Sequence, residues 1–119
     1  MQARVLVVES DPTIRKLLAA FLGSRGYPCH GVESISAALD ALRRESCSLI
    51  ILDLDLTERG DAVAELRSAC PAVRLIGLDS LAEQRIGNPA QARLDAVIPK
   101  PFLADPLLAA MGHLATPLR

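Results

Sequence analysis

Acidic side chains follow two apolar runs of the sequence. Glu9 and Asp11 come directly after the run at residues 5–8, and Asp53 and Asp55 follow the run at residues 48–52. Clustered carboxylates repel each other, by roughly 4 kcal/mol for two charges about 4 Å apart at an effective dielectric constant of 20. Mg²⁺, which prefers carboxylate and carbonyl oxygens, offsets such repulsion. If the two runs are neighbouring strands, these residues form a candidate metal site.

A lysine follows the last apolar run, in the sequence Pro99-Lys100-Pro101. A carboxylate beside Mg²⁺ and a lysine can accept a phosphoryl group as an acyl phosphate, because the two cations offset charge on the phosphoryl oxygens. Asp53 is the candidate acceptor. His30 and His113 do not fall at the end of any strand run, so we expect surface residues and no nucleophile–base pair for hydrolysis.

The elements that would position these residues alternate between strand and helix. Apolar runs predict strands at residues 5–8, 27–32, 48–52, 73–78 and 96–98, and amphipathic segments with helix-capping residues lie between them. The pattern predicts a parallel sheet covered on both faces, with strand order 2-1-3-4-5. In this doubly wound α/β fold, ligands bind at the carboxyl ends of the strands. Residues 82–94 are the least regular part of the pattern.

Two elements carry more detailed expectations. The first helix should bury an apolar stripe and should end at Gly23 and Gly26. Pro28 indicates that the second strand lies at a sheet edge, because proline cannot donate a hydrogen bond to a neighbouring strand. The stripe consists of Ile14, Leu17, Leu18, Phe21 and Leu22.

Length and composition predict one domain over residues 1–119, with a core at about 3–115 and a short tail at 116–119. A net charge of −1 gives no electrostatic footprint for nucleic acid or for a membrane surface. No signal peptide is evident, and the longest apolar run is too short to span a bilayer. The three cysteines lack C-x-x-C spacing, which predicts free thiols in a reducing cytoplasm.

Three segments make the chain resemble the receiver domain of bacterial two-component response regulators, the phosphorelay family that includes the chemotaxis regulators. They are V-L-V-V-E-S-D-P, S-L-I-I-L-D-L-D-L and L-D-A-V-I-P-K-P-F. The resemblance implies a flavodoxin-like (βα)5 three-layer fold, with Asp53 as phosphoacceptor and Glu9 as a metal-site acid. It also implies that Asp55 offers its backbone carbonyl to the metal, and that the bond from Lys100 to Pro101 is cis.

Four positions depart from the family pattern. Ser10 stands where receivers usually carry a second acid, which should weaken Mg²⁺ binding; Asp11 could compensate, or could simply cap the first helix. Asp79 replaces the usual Thr or Ser and would repel a phosphoryl oxygen. Val97 occupies the aromatic switch position, and Thr57 and Gly60 alter the loop after Asp53. Our hypothesis is that Asp79 pairs with Lys100; the alternative is that it faces solvent.

These departures favour a receiver with an atypical active site that acts as a protein-interaction signalling module. The alternative is a conventional receiver, phosphorylated on Asp53 by a histidine kinase with Mg²⁺. In either case the chain is not an enzyme beyond self-phosphorylation and autodephosphorylation, and no organic cofactor is expected. A flavodoxin-like small enzyme or electron carrier is a remote alternative, since Glu9 and Asp11 would repel a flavin phosphate where a Ser/Thr/Gly-rich loop is needed.

The expected partners are a histidine kinase or phosphotransfer protein, or a downstream protein bound through the helix 4–strand 5–helix 5 face. A homodimer is compatible with the sequence.

Overall fold

Five apolar runs of the chain form the strands of one sheet in a computed structural model, which describes residues 4–57, 62–79 and 94–99. Every neighbouring pair of strands is parallel, and the order is β2-β1-β3-β4-β5, as the sequence predicts. The strands are β1 (Val5–Val8), β2 (Cys29–Val32), β3 (Leu49–Asp53), β4 (Arg74–Asp79) and β5 (Ala96–Pro99).

Three α-helices lie within the described residues: α1 (Pro12–Ser24), α2 (Ile35–Arg44) and α3 (Ala62–Ala69). A short 3-10 helix, Leu54–Thr57, follows β3 directly. Ser34 caps α2 as expected, since its hydroxyl oxygen accepts a hydrogen bond from the Ala37 N–H at 3.1 Å. None of the described helices is long and apolar enough to cross a membrane.

The side chains of the strands alternate between two aliphatic cores, one on each face of the sheet. The first core takes residues from β1 and β3 together with α2 and α3, and the second takes the intervening strand residues together with α1. The first includes Leu6, Val8, Ile50, Leu52, Ala38, Leu42, Val63 and Leu66; the second includes Val5, Val7, Leu49, Ile51, Leu18 and Leu22.

The predicted stripe of α1 is correct except at one position. Leu18 and Leu22 are fully buried, while Leu17 is 56% exposed. A helix turns by about 100° per residue, so Leu17 lies on the flank of the stripe, away from its buried centre. The prediction that Gly23 ends the helix is also wrong, because α1 continues to Ser24; Gly26 follows with φ +85° and reverses the chain.

The second strand lies at the edge of the sheet, as Pro28 predicts, but it starts at Cys29 rather than at residue 27. Pro28 still contributes an acceptor, since its carbonyl receives the Val5 N–H at 3.1 Å. Strands β3, β4 and β5 each extend one residue past the predicted end and so include Asp53, Asp79 and Pro99. The residues with candidate chemistry therefore lie at or just beyond the strand ends.

Candidate functional site at the carboxyl edge of the sheet

Two acidic residues reach the same edge of the sheet on neighbouring strands. β1 and β3 are paired so that Val8 lies beside Leu52, and the next residues along the chain are Glu9 and Asp53. Both side chains are only 1% exposed, and they are the two buried polar or charged side chains in the part of the chain that the structure describes. Burying carboxylates is costly unless their charge is compensated, so these two residues mark this edge as a candidate functional site.

Ser10 joins these two acids at the edge. Its Oγ lies 3.4 Å from Oδ2 of Asp53, with the hydroxyl as the donor. This separation is long for an O–H···O hydrogen bond, so the contact is weak. Ser10 brings a neutral donor to the carboxylate, and no additional negative charge.

The backbone of Glu9 is held on both sides. Its N–H donates to the Val32 carbonyl at 3.0 Å, and its carbonyl accepts from Nη1 of Arg15 at 2.8 Å. The Glu9 carboxylate in turn accepts the Asp11 N–H through Oε2 at 3.1 Å. These contacts fix the turn between β1 and α1 and, with it, the direction of the Glu9 side chain.

Asp11 caps the first helix. Its Oδ1 accepts the N–H of Thr13 at 2.8 Å and that of Ile14 at 3.4 Å, and Pro12 occupies the first helical position. The helix-cap interpretation of Asp11 is therefore confirmed. One carboxylate oxygen of Asp11 is thus engaged by the helix; whether Asp11 compensates for the acid that Ser10 replaces stays a prediction.

The turn after Asp53 packs onto a glycine of the neighbouring strand. Leu54 is 1% exposed, and its Cγ and Cδ1 lie 3.0 and 2.9 Å from the position that a Cβ on Gly77 would take. Leu94 approaches the same point to 2.8 Å. Because Gly77 has no side chain, Leu54 can lie flat on β4, and this packing sets where the chain leaves Asp53.

A carboxylate also fixes the start of β5. Oδ2 of Asp95 accepts the Leu75 N–H at 2.8 Å and Nη2 of Arg67 at 3.2 Å, while the Asp95 N–H donates to the Leu75 carbonyl at 2.9 Å. Nη1 of Arg74 lies 3.6 Å from Oδ1. This network ties α3 and β4 to the strand that leads toward Lys100.

The described donors are of the kind that a hard cation takes. Two buried carboxylates and a hydroxyl are oxygen ligands of the kind that Mg²⁺ takes. Within residues 4–57, 62–79 and 94–99, however, no group of three or more His, Cys, Asp or Glu side chains is arranged to hold a metal ion. The residues thus fit Mg²⁺ in donor type, with one carboxylate fewer than a site bearing an acid at position 10.

The family model for the response regulator receiver domain matches residues 5–112. The chain belongs to this family. Response regulator MprA of Mycolicibacterium vanbaalenii is 31% identical over 119 residues, which cover 96% of this chain and 51% of that protein. MprA of Mycobacterium tuberculosis strain H37Ra is 30% identical over the same shares. The receiver domain described here therefore spans about half the length of the curated relatives it matches.

Solved structures agree on the fold of this receiver domain. The receiver domain of the sensor histidine kinase PA1611 from Pseudomonas aeruginosa, crystallised with a magnesium ion coordinated in its active site cleft, has a TM-score of 0.83 at 23% identity and covers 98% of this chain and 99% of that one. TrrA from Thermotoga maritima, in complex with Mg²⁺ and BeF, has a TM-score of 0.83 at 27% identity, with coverage of 96% and 99%.

Membership of the receiver-domain family indicates a general role in signalling. Receiver domains are in general signalling modules rather than enzymes, and they interact with histidine kinases or phosphotransfer proteins and with downstream effectors.

The predicted site residues of the receiver domain fall into three groups. Glu9, Ser10 and Asp53 are brought together. Asp55 lies in the 3-10 helix, and Asp79 lies beside Pro99 at the end of β4; the side chains of both are outside the described part of the structure. Lys100 and the bond to Pro101 are outside it as well, so the predicted pairing of Asp79 with Lys100 stays a prediction.

Val97, at the predicted switch position, is half-buried and packs against the first core, as Leu94 also does. It lies opposite Gly77 in the pairing of β4 with β5. Its branched side chain presents no aromatic ring at this position.

Three residues that position the site were not among the predicted ones: Arg15, Gly77 and Asp95. The signal for Gly77 was present, since a glycine inside an apolar strand often marks a close approach of another segment. The signals for Arg15 and Asp95 were absent, because each acts on a residue of another element.

Proposed function

We propose that this receiver domain has an atypical active site and works mainly as a protein-interaction signalling module. Asp53 is the phosphoacceptor position, and Glu9, Asp53 and the Asp55 carbonyl are the metal-site positions. The observation that carries the proposal is the contact between Ser10 and Asp53, because it puts a neutral hydroxyl beside the buried carboxylate where a second acid is usual. Mg²⁺ affinity is accordingly weakened.

Magnesium in two structural neighbours supports the assignment of the site. The PA1611 receiver domain coordinates a magnesium ion in its active site cleft, and TrrA binds Mg²⁺ with BeF. Bound at this edge, Mg²⁺ would offset the charges of the carboxylates and of an incoming phosphoryl group. The chain's own contribution is to hold Glu9 and Asp53 buried, side by side and correctly directed.

The roles of Lys100 and Asp79 toward a phosphoryl group are proposed from the sequence. Lys100 and Asp79 stand at the lysine and hydroxyl positions, and a carboxylate at position 79 repels a phosphoryl oxygen and competes for the ammonium. Self-phosphorylation and autodephosphorylation at Asp53 are then slow. Val97 cannot couple the site to the surface through a swinging aromatic ring.

The domain and its partners follow from this assignment. Residues 1–119 form a single receiver domain with a core at about 3–115 and a tail at 116–119. Its partners are a histidine kinase or phosphotransfer protein, or a downstream protein that binds the helix 4–strand 5–helix 5 face. This chain takes no part in nucleic-acid binding, as its net charge of −1 leaves no basic footprint.

The test is a phosphorylation assay with Mg²⁺ and acetyl phosphate, or beryllofluoride as the phosphoryl analogue. Wild type is compared with Asp53→Asn and with the double variant Ser10→Asp/Asp79→Thr, using intact mass and NMR shifts near Asp53. We expect slow labelling of wild type, faster labelling of the double variant and none of Asp53→Asn.

Wild type labelled as fast as the double variant would instead make it a conventional receiver. An Asp53→Asn variant that still takes label would remove Asp53 from the phosphoacceptor role.

A further inference from the structure

The side chain of Arg15 crosses β2 at a glycine. Cγ of Arg15 lies 2.9 Å and Cδ 3.2 Å from the position that a Cβ on Gly31 would occupy. Contacts under 3.0 Å are not adopted by real side chains, so any other residue at position 31 would displace the arginine stem. Because Gly31 has no side chain, the Arg15 side chain can pass over β2 from α1 toward the carboxyl edge of the sheet.

The guanidinium of Arg15 binds the backbone carbonyl of Glu9. Nη1 of Arg15 donates to the Glu9 carbonyl at 2.8 Å, and the arginine is half-buried. A hydrogen bond from a charged donor is stronger than one between neutral groups. Because the Glu9 N–H is held by the Val32 carbonyl at 3.0 Å, the peptide groups on both sides of the Glu9 Cα are fixed.

Fixing both peptide groups sets the direction of the Cα–Cβ bond of Glu9, from which its carboxylate extends. That carboxylate accepts the Asp11 N–H at 3.1 Å, and this amide reports its position without any metal present. Arg15 acts on Glu9 through the carbonyl oxygen, so its effect is on orientation.

We propose that Arg15 is a positioning residue of the site formed by Glu9 and Asp53. Gly31 is required because a side chain at position 31 would block the approach of Arg15 to Glu9. Only one consequence of this role, tighter cation binding at Glu9 and Asp53, rests on the proposed function. The orientation of the Glu9 carboxylate is the primary effect and is measurable in metal-free protein.

The experiment compares Arg15→Ala, Arg15→Lys and Gly31→Ala with wild type, and uses Arg43→Ala as the control. Arg43 pairs with Asp40 on the exposed face of α2, so its loss removes a similar side chain remote from Glu9. Two quantities are measured by NMR: hydrogen exchange of the Asp11 amide in metal-free protein, and the Mg²⁺ dissociation constant from shift titration.

We expect Arg15→Ala and Gly31→Ala to speed exchange at Asp11 by about tenfold and to weaken Mg²⁺ binding about three- to tenfold, as for the loss of one hydrogen bond. Arg15→Lys should restore part of both, and Arg43→Ala should change neither. If Gly31→Ala does not fold, the double variant Gly31→Ala/Arg15→Ala removes the clash and should match Arg15→Ala alone.

Unchanged exchange at Asp11 in Arg15→Ala, with a lowered melting temperature, would overturn the proposal and leave Arg15 a purely structural role. Failure of the proposed function looks different. In that case wild type is phosphorylated as fast as the Ser10→Asp/Asp79→Thr variant, while the Asp11 amide still responds to Arg15.

Discussion

Oγ of Ser10 lies 3.4 Å from Oδ2 of the buried Asp53 carboxylate. A neutral donor at this place lowers the negative charge density of the site relative to a site with an acid there. Repulsion between carboxylates is thereby reduced in the metal-free protein, and so is the attraction for a cation. The reduced repulsion stabilises the metal-free fold, whereas the reduced attraction lowers the stability that a bound cation adds. One substitution at position 10 separates the two effects.

Replacing Ser10 with Asp should tighten Mg²⁺ binding and destabilise the metal-free fold. The added carboxylate contributes roughly 1–3 kcal/mol of extra attraction for a divalent cation, or about 5- to 150-fold in affinity. Without metal, the same charge repels Asp53, so the melting temperature should fall. Calorimetric titration gives the affinity, and thermal unfolding with and without Mg²⁺ gives the stability.

Ser46→Asp is the matched control for this prediction. Ser46 is exposed and precedes β3, so it lies at the opposite edge of the sheet, and the variant has the same net charge as Ser10→Asp. It should leave Mg²⁺ affinity within about twofold of wild type, because exposed charges farther apart than a Debye length are screened. Equal affinity gains in both variants would show a general charge effect and would remove Ser10 from the site.

The strand order and the placement of Glu9 and Asp53 were predictable from the sequence. Short apolar runs separated by amphipathic helices determine a covered parallel sheet, and the carboxyl ends of adjacent parallel strands meet at one edge. Asp11 before Pro12 was recognisable as a helix cap because its partners are two and three residues away. The features that the sequence predicts are therefore those that depend on the hydrophobic pattern and on contacts between residues close in sequence.

Two supports of the site, Arg15 and Asp95, were not predictable, because each binds a residue outside its own element. Arg15 reaches back from α1 to the carbonyl of Glu9, and Asp95 binds a strand 20 residues before it. Leu17 shows a related limit, since periodicity marks a stripe but not which of its flanks faces solvent. Such features depend on how elements are placed against each other.

Replacing Gly77 with Ala should destabilise the domain by roughly 1–3 kcal/mol, the usual cost of overpacking. The new methyl group would meet Leu54 and Leu94 at 2.8–3.0 Å. Urea denaturation measures the loss, and NMR shifts of Asp53 should report the displaced turn. The control is Gly23→Ala, where a methyl group meets no atom within 4 Å and α1 is helical; it should gain about 0.5–1 kcal/mol. Equal effects at the two glycines would contradict the packing of Leu54 on β4.

Replacing Asp95 with Ala should cost roughly 1–3 kcal/mol, because the Leu75 N–H loses its side-chain acceptor and Arg67 loses its ion-pair partner. The same substitution at Asp40, whose pair with Arg43 is exposed, should change the free energy of unfolding by less than about 0.5 kcal/mol. Urea denaturation compares the two. A double-mutant cycle with Arg67→Ala should show coupling between the two residues; strict additivity would mean that the pair is not formed.

The thiol of Cys47 should make the domain less stable in alkali. Burial raises the pKa of Cys47 from 9.0 to about 12, and the nearby Cys70 adds to the rise. The folded state keeps the proton up to the raised pKa, whereas the unfolded chain loses it near the ordinary value. The contribution to stability is therefore complete below about pH 9 and is lost as pH rises from about 9 toward 12.

Urea denaturation at about pH 8 and about pH 10.5 measures this loss for wild type and for Cys47→Ala. Every other titrating group is common to both proteins, so the difference between their pH slopes isolates Cys47. Wild type should lose more stability than the variant over this interval, because only wild type must deprotonate this thiol on unfolding. Equal slopes would mean that Cys47 titrates normally and that its thiol is open to water in the folded domain.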